Sequence, residues 1–286
     1  MIESGNEALI VTARRRFHAG MIQRGLLSTN DKGVPSIADS SSPASRAIAA
    51  LLLSKIGNEV QGARLAGQSA GRDFEDFVRL FLDEVFPKLS LVRCGEFTVA
   101  AGGNISVYDQ YAHLTAVDEA VSRDPDLRVA IGRDYIIRPD VVIYRSPVSD
   151  DVINASEEIV EETFARQTPL RKANNRDPIL HASVSCKWTI RSDRAQNARS
   201  EALNLIRNRK GKLPHIAVVT AEPMMSRIAS LALGTGDIDC VYHIALPELG
   251  EATNERGSEE ARELFRMMTE GRRLRDISDL PFDLAI

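Results

Sequence analysis

Residues 183–201 read SVSCKWTIRSDRAQNARSE, and the fold turns on how this stretch divides. In its first half Ser183, Ser185 and Lys187 alternate with Val184, Cys186 and Trp188, the period of a strand with one polar face. Its second half carries Arg191, Asp193, Arg194, Arg199 and Glu201 on a segment of helical character. A lysine on the polar face of an otherwise buried strand, followed so closely by Arg-Ser-Asp-Arg and an isolated glutamate, is the feature that needs a reason.

Working outward, β-branched runs of strand length recur from about residue 90: LVRCGEFTVAAGG, YIIRPDVVIYR, HASVSCKWTI, HIAVVTAE and CVYHIALPEL. Helical segments separate the later ones, namely DRAQNARSEALNLIRNRK, MMSRIASLALG and SEEARELFRMMTEG. That order predicts an α/β fold with a mixed central sheet flanked by helices. Upstream, ALIVTARRRFHAGMIQRGLL, ASRAIAALLLSKIGNEV and GRDFEDFVRLFLDEVFPKL read as helices, the last through Phe74, Phe77, Leu80, Phe81 and Val85. Residues 30–46 are rich in Gly, Pro and Ser and read as a loop. The glycines of GARLAGQSAG suit a tight turn or a close backbone approach. Ser149 to Asp177 is polar and poorly patterned, a connection with some helix in it.

Composition narrows the class. The 286 residues are 43% hydrophobic and 27% charged, which is ordinary for a soluble globular chain with ample core. Cys94, Cys186 and Cys240 are too far apart for a metal pair or a disulfide framework, which suits a reducing cytoplasm. No signal peptide, anchor or bilayer-spanning run is evident, so no membrane partner is expected. The net charge is −4, yet Lys187 to Lys212 holds eight basic residues against two acidic ones, 8 − 2 = +6. A solvated charged helix is the plain reading of such a run; a nucleic-acid surface is the sharper one.

Three residues then stand out. Ile136, Arg138 and Asp140 fall on one face of a strand in YIIRPD, and Pro139 suits a bulge or an edge that would aim the carboxylate outward. Lys187 lies on the next strand and Glu201 on the helix that follows, where Arg194, Asn197, Glu201 and Leu205 share one side. Singly, Asp140 suits a turn, Lys187 a strand edge, and Glu201 an ion pair with Arg194 or Arg199. Together they offer what phosphodiester hydrolysis requires: hard oxygen ligands for Mg²⁺ and a cation beside the attacking water. The five histidines have no zinc-enzyme spacing.

Pro139-Asp140, Ser185-Cys186-Lys187 and Glu201, spaced Asp-x(46)-Lys-x(13)-Glu, resemble the variant PD-(D/E)xK nuclease core. Ser185 stands where the common form has an acid two residues before the lysine, and Glu201 supplies that acid from the helix. This migrated acid marks the Type II restriction endonucleases that cut sites containing CCGG; the chain is most similar to the tetrameric member that cuts GCCGGC. The resemblance is specific over LHASVSCKWTIRSDRAQNARSEALNLIRNRKGKLPHIAVVTAEP, ALGTGDIDCVYH and RLRDISDLPFDLAI. It implies one restriction-endonuclease domain over 1–286, mainly helical over 1–90, with the nuclease core over 91–286.

It further implies catalytic roles for Asp140, Lys187, Glu201 and Ser185, with Glu75 as an auxiliary acid. Mg²⁺ would be held by Asp140, the Cys186 backbone carbonyl and, through water, Glu201. Two arginine forks match guanine O6 and N7, and a carboxylate accepts from cytosine amines. Arg191, Arg194 and Asp193 therefore suit the inner CCGG, with Ser192 or Asp193 also able to cap the helix. For the outer pair the resemblance assigns Arg227 and Asp39 to the major groove and Gln68 to the minor groove. The expected activity is cutting of double-stranded DNA at GCCGGC after the first G, leaving a 5′ CCGG overhang. A palindromic site calls for a homodimer at least, and the nearest relative suggests a tetramer. A cognate DNA methyltransferase is expected in the same system. The rival readings are a PD-(D/E)xK nuclease of repair or recombination without sequence specificity, and a DNA-binding regulator with a vestigial core.

Overall fold

The computed structural model describes residues 7–57, 67–131, 137–234 and 236–286. The chain opens with helices. α1 spans Leu9–Gln23 and α2 Pro43–Ile56; α2 is started by Ser42, whose side chain accepts the Ser45 N–H, and stopped by Gly57 at φ 98°. α3 runs Gly67–Val85, so the glycines at 67 and 71 lie inside a helix and not in the expected turn; residues 62–66 of that stretch lie outside the described residues. Its buried stripe is Phe74, Val78, Phe81, Leu82 and Val85, whereas Leu80 faces solvent, a correction of one helical position.

Among the described residues, all six strands follow α3. β1 is Phe97–Ala101. Two helices that the sequence reading missed come next, α4 (Leu114–Arg123) and α5 (Pro125–Ile131), then β2 (Val141–Arg145) and the single turn α6 (Asp150–Ile153). β3 (Ile179–Lys187) leads into α7 (Ser192–Asn208), β4 (His215–Thr220) into α8 (Met225–Ala232), and β5 (Cys240–His243) into α9 (Leu246–Arg256). α10 (Glu259–Glu270), β6 (Leu274–Asp276) and α11 (Leu280–Asp283) complete the order. CVYHIALPEL is thus half strand and half helix, because Pro247 sits in the first turn of α9 where its missing N–H costs nothing.

The strands form one sheet in the order β1-β2-β3-β4-β5-β6. β1, β2 and β3 are antiparallel, and β3 through β6 are parallel, each parallel step carried by an intervening helix. β4 is buried from Ile216 to Thr220, the continuous apolar run expected of a strand covered on both faces. β3 is likewise buried from Leu180 to Val184; only at its end do Ser185 and Lys187 emerge while Cys186 stays buried. α3 packs against β1, β2 and β3, and Phe74 meets Trp188 edge-on at 5.1 Å between ring centroids. Asp140 lies one residue before β2, so the extended run expected from residue 135 begins later, and residues 132–136 lie outside the described residues.

The approach to Asp140 depends on a glycine. Gly102, just past β1, donates its N–H to the Asp140 carbonyl at 2.9 Å, and a Cβ placed there would lie 1.6 Å from the Pro139 carbonyl oxygen. Gly103 has nothing within 4 Å of the same position. Gly102→Ala is therefore expected to displace the Pro139–Asp140 backbone and to cost roughly 1–3 kcal/mol in denaturant unfolding, with Gly103→Ala as the tolerated control.

Candidate active site

Val141 pairs with Val184 across β2 and β3, so continuing the register sets Asp140 opposite Ser185. There the backbone ladder ends and side chains take over. Asp140 Oδ2 accepts the Cys186 N–H at 2.6 Å and lies 3.4 Å from both Ser185 Oγ and Lys187 Nζ. From α7, Glu201 Oε2 comes within 3.3 Å of Ser185 Oγ and 3.8 Å of Lys187 Nζ. Ala198, Ala202 and Leu205 are the buried stripe of α7, and Glu201 sits within it, which is how a helix carboxylate reaches a strand end. Cys186 gives its N–H toward β2, and at such a ladder position the carbonyl leaves by the same edge, toward Asp140. Its thiol is buried and pushed well above the usual range, so it stays protonated.

Asp140, Ser185, Cys186, Lys187 and Glu201 are thus brought together. Arg199, the alternative partner for Glu201, pairs with Asp237 at 3.5 Å. Glu75 on α3 feels the group electrostatically: burial raises its carboxyl pKa first and the Asp140 charge adds to it. Glu201 is raised by burial and by Asp140, with Lys187 and the Ser185 hydroxyl opposing. One ammonium thus faces three carboxyl groups, and a bound cation would relieve the excess. Among the described residues no three His, Cys, Asp or Glu side chains close on a single point. The donors are instead carboxylates and a strand carbonyl, to be completed by water or phosphate oxygen. That set fits Mg²⁺, which keeps several waters and uses one or two carboxylates.

A cavity of about 650 Å³ opens between the start of α7 and α8, with Arg191, Gln196, Arg199, Arg227 and Asp39 on its walls. Arg191 is exposed and occupies the N-cap position of α7 without capping it through its side chain. Ser192 and Asp193 therefore lie in the first helical turn and are not at the capping position expected for them. The side chains of Asp193, Arg194 and Gln68 lie outside the described residues, although their backbones belong to α7 and α3. Asp39 and Arg227 meet each other: Arg227 Nη2 donates to Asp39 Oδ2. Asp39 Oδ1 accepts from the Ser41 N–H at 3.0 Å and the Ser41 hydroxyl at 2.6 Å. These bonds, with Arg227, hold its carboxyl well below the usual range. Met225 is buried, and Met224 packs against the core at the N-cap position of α8.

One acidic residue of this region carried no role in the sequence reading. Glu222 follows β4 and is fully buried. Its Oε2 accepts the Ile190 N–H at 2.9 Å, its Oε1 accepts the Met224 N–H at 3.1 Å, and Arg227 Nη1 lies 3.7 Å from Oε2. Burial pushes its pKa up to about 6 against the pull of those donors. The signal available in the sequence was a charged residue at the exit of an unbroken apolar strand, directly before a proline.

A strand that ends in lysine, met by an aspartate from its antiparallel neighbour and by a glutamate from the helix it feeds, is how a PD-(D/E)xK deoxyribonuclease is built when one acid has moved to the helix. Comparison with known proteins agrees with that class. The family model described as NgoMIV restriction enzyme matches residues 17–286. The Type II restriction enzyme NgoMIV of Neisseria gonorrhoeae is 49% identical over 283 residues, covering 97% of this chain and 99% of the relative. The chain belongs to the NgoMIV restriction enzyme family and is a Type II site-specific deoxyribonuclease.

The electrostatics around Glu222 can be checked directly. Arg227→Met removes the cation that favours its ionised form, so the Glu222 carboxyl, followed by ¹³C NMR, is expected to titrate above the value of about 6 expected for the unaltered chain.

Proposed function

We propose that the protein is a Mg²⁺-dependent endonuclease that recognises GCCGGC in double-stranded DNA and cuts after the first G, leaving a four-base 5′ CCGG overhang. The observation that carries this reading is the convergence of Lys187 Nζ and Ser185 Oγ on Asp140 and Glu201, all within 3.3–3.8 Å. Asp140 and the Cys186 carbonyl would hold the cation, with Glu201 and Glu75 reaching it through water. When bound, Mg²⁺ neutralises charge at the scissile phosphate and lowers the pKa of a coordinated water. Lys187 orients the attacking water and balances phosphate charge, while the Cys186 N–H fixes the Asp140 carboxylate. The Ser185 hydroxyl lies within 3.3–3.4 Å of both carboxylates and donates its one proton to either.

For base reading, Arg191 and Arg194 are assigned to the guanines of the inner CCGG and Asp193 to the cytosine amines. Arg227 and Asp39 are assigned to the outer pair from the major groove, and Gln68 from the minor groove. The exposure of Arg191, which lines the same cavity as Arg227, supports this division. The palindromic site implies a homodimer, and two-site engagement a tetramer. A cognate methyltransferase would protect the host genome. Among the described residues no helix is long and apolar enough to cross a membrane, and we infer that the enzyme works in the cytoplasm.

Digestion of a plasmid of known sequence, with and without Mg²⁺, tests the reading. Discrete fragments with CCGG ends are expected only with the metal. A smear would point to a non-specific nuclease, and retardation without cutting to a regulator. Lys187→Ala is expected to lower cutting by roughly 10²–10⁴-fold while specific binding, measured by gel shift, persists. Arg194→Ala is expected to lose roughly 1–3 kcal/mol of discrimination at its base pair. Plasmids with two sites should be cut faster than those with one; equal rates would remove the case for the tetramer.

A further inference from the structure

The inner base readers and Arg227 sit on different elements, and one buried carboxylate touches the base of each. Ile190 is the residue before Arg191, and Met224 precedes the helix that carries Arg227. Glu222 accepts a backbone N–H from both and lies beside the Arg227 guanidinium. Its own N–H is held by Thr220 Oγ1 at 3.1 Å, at the end of β4, so the carboxylate hangs from the sheet itself. Full burial of an acid is costly unless its oxygens are satisfied, and here each oxygen has its own amide donor. Only a carboxylate meets that demand: a glutamine has one acceptor oxygen and would turn N–H groups against one of the two amides.

We propose that Glu222 is a positioning residue that locks the Arg191 entry of α7 to the Arg227 helix, so that inner and outer base pairs are read by one rigid unit. This rests on the assignment of Arg191 to the inner CCGG and of Arg227 to the outer pair. Loosening the tie frees both readers together, even though Glu222 reaches no base. A purely structural acid would instead slow the enzyme evenly on every sequence. Selectivity therefore separates the two roles where overall activity does not.

The test compares the full chain with Glu222→Gln and Glu222→Asp, using Mg²⁺ and oligoduplexes carrying GCCGGC, an altered outer pair, or one altered inner pair. Aspartate keeps the charge but is one methylene too short to span both amides. In each variant the ratio of kcat/KM for GCCGGC over the altered sites is expected to fall on the order of tenfold, at inner and outer positions alike. An equal fall on all duplexes, or relaxation at the outer pair alone, overturns the proposal. If the unaltered chain itself does not favour GCCGGC, the reader assignment fails and the proposal falls with it. Should neither variant fold by circular dichroism, hydrogen exchange of the unaltered chain decides. Joint slowing of the Ile190 and Met224 amides on GCCGGC DNA supports the tie, and slowing of one alone overturns it.

Discussion

Had the β2–β3 ladder run two residues further, the Cys186 N–H would have met the main-chain carbonyl of residue 139. It meets the Asp140 carboxylate instead, at 2.6 Å. A charge-assisted bond of this kind is about twice as strong as a neutral one and fixes direction as well as distance. It converts the end of a sheet into the start of a reactive site, because the acid is now aimed along the same face as Ser185 and Lys187. Gly102 makes room for the bend on one side, and the buried stripe of α7 delivers Glu201 on the other. Remove that one hydrogen bond and only the longer contacts with Ser185 and Lys187, both at 3.4 Å, are left to aim the carboxylate.

The electrostatic character of the two neighbouring regions differs in an instructive way. Around Lys187 carboxyl groups outnumber the ammonium, and burial lifts Glu75 and Glu201 above their ordinary range, so the group is incomplete without a further positive charge. Around Arg227 the charges are closed on each other, with Asp39 and Glu222 on either side of the guanidinium. A region short of positive charge suits a metal and phosphate. A region whose charged groups already hold hydrogen-bond partners suits recognition, where each group exchanges one partner for another.

Much of this was legible in the residues. The alternation of Ser183 to Lys187, the spacing to Glu201 and the helical stripe through Leu205 predict the gathering that the fold contains, and the strand–helix order predicts a mixed sheet. What failed has physical reasons. β6 has only three residues, too few for a period to register, and α4 and α5 are short and partly exposed. Pro247 marked a helix start inside what read as a strand, a distinction that apolar runs alone do not make. The polar connection from 149 to 177 is organised by Arg171, which is buried and bonded to Asp150 and to the carbonyls of Glu161 and Phe164. A buried arginine looks like any other in a sequence. Glu222 escaped notice for the same reason, since its significance lies in two amides, one 32 residues before it in the chain and the other two residues after it.

The buried Glu222 also bears on how such enzymes can be remade. A segment carrying Ile190 to Arg199, moved into a foreign scaffold, would arrive with the Ile190 amide seeking an acceptor that the host lacks. The Arg227 helix, moved together with the Glu222 that precedes it, would bring an acid stripped of one donor in a dry interior. Neither piece behaves as a cassette. On the proposed reading, recognition in this architecture is inherited as a pair of elements with the strut between them, and redesign by exchanging loops one at a time works against that construction.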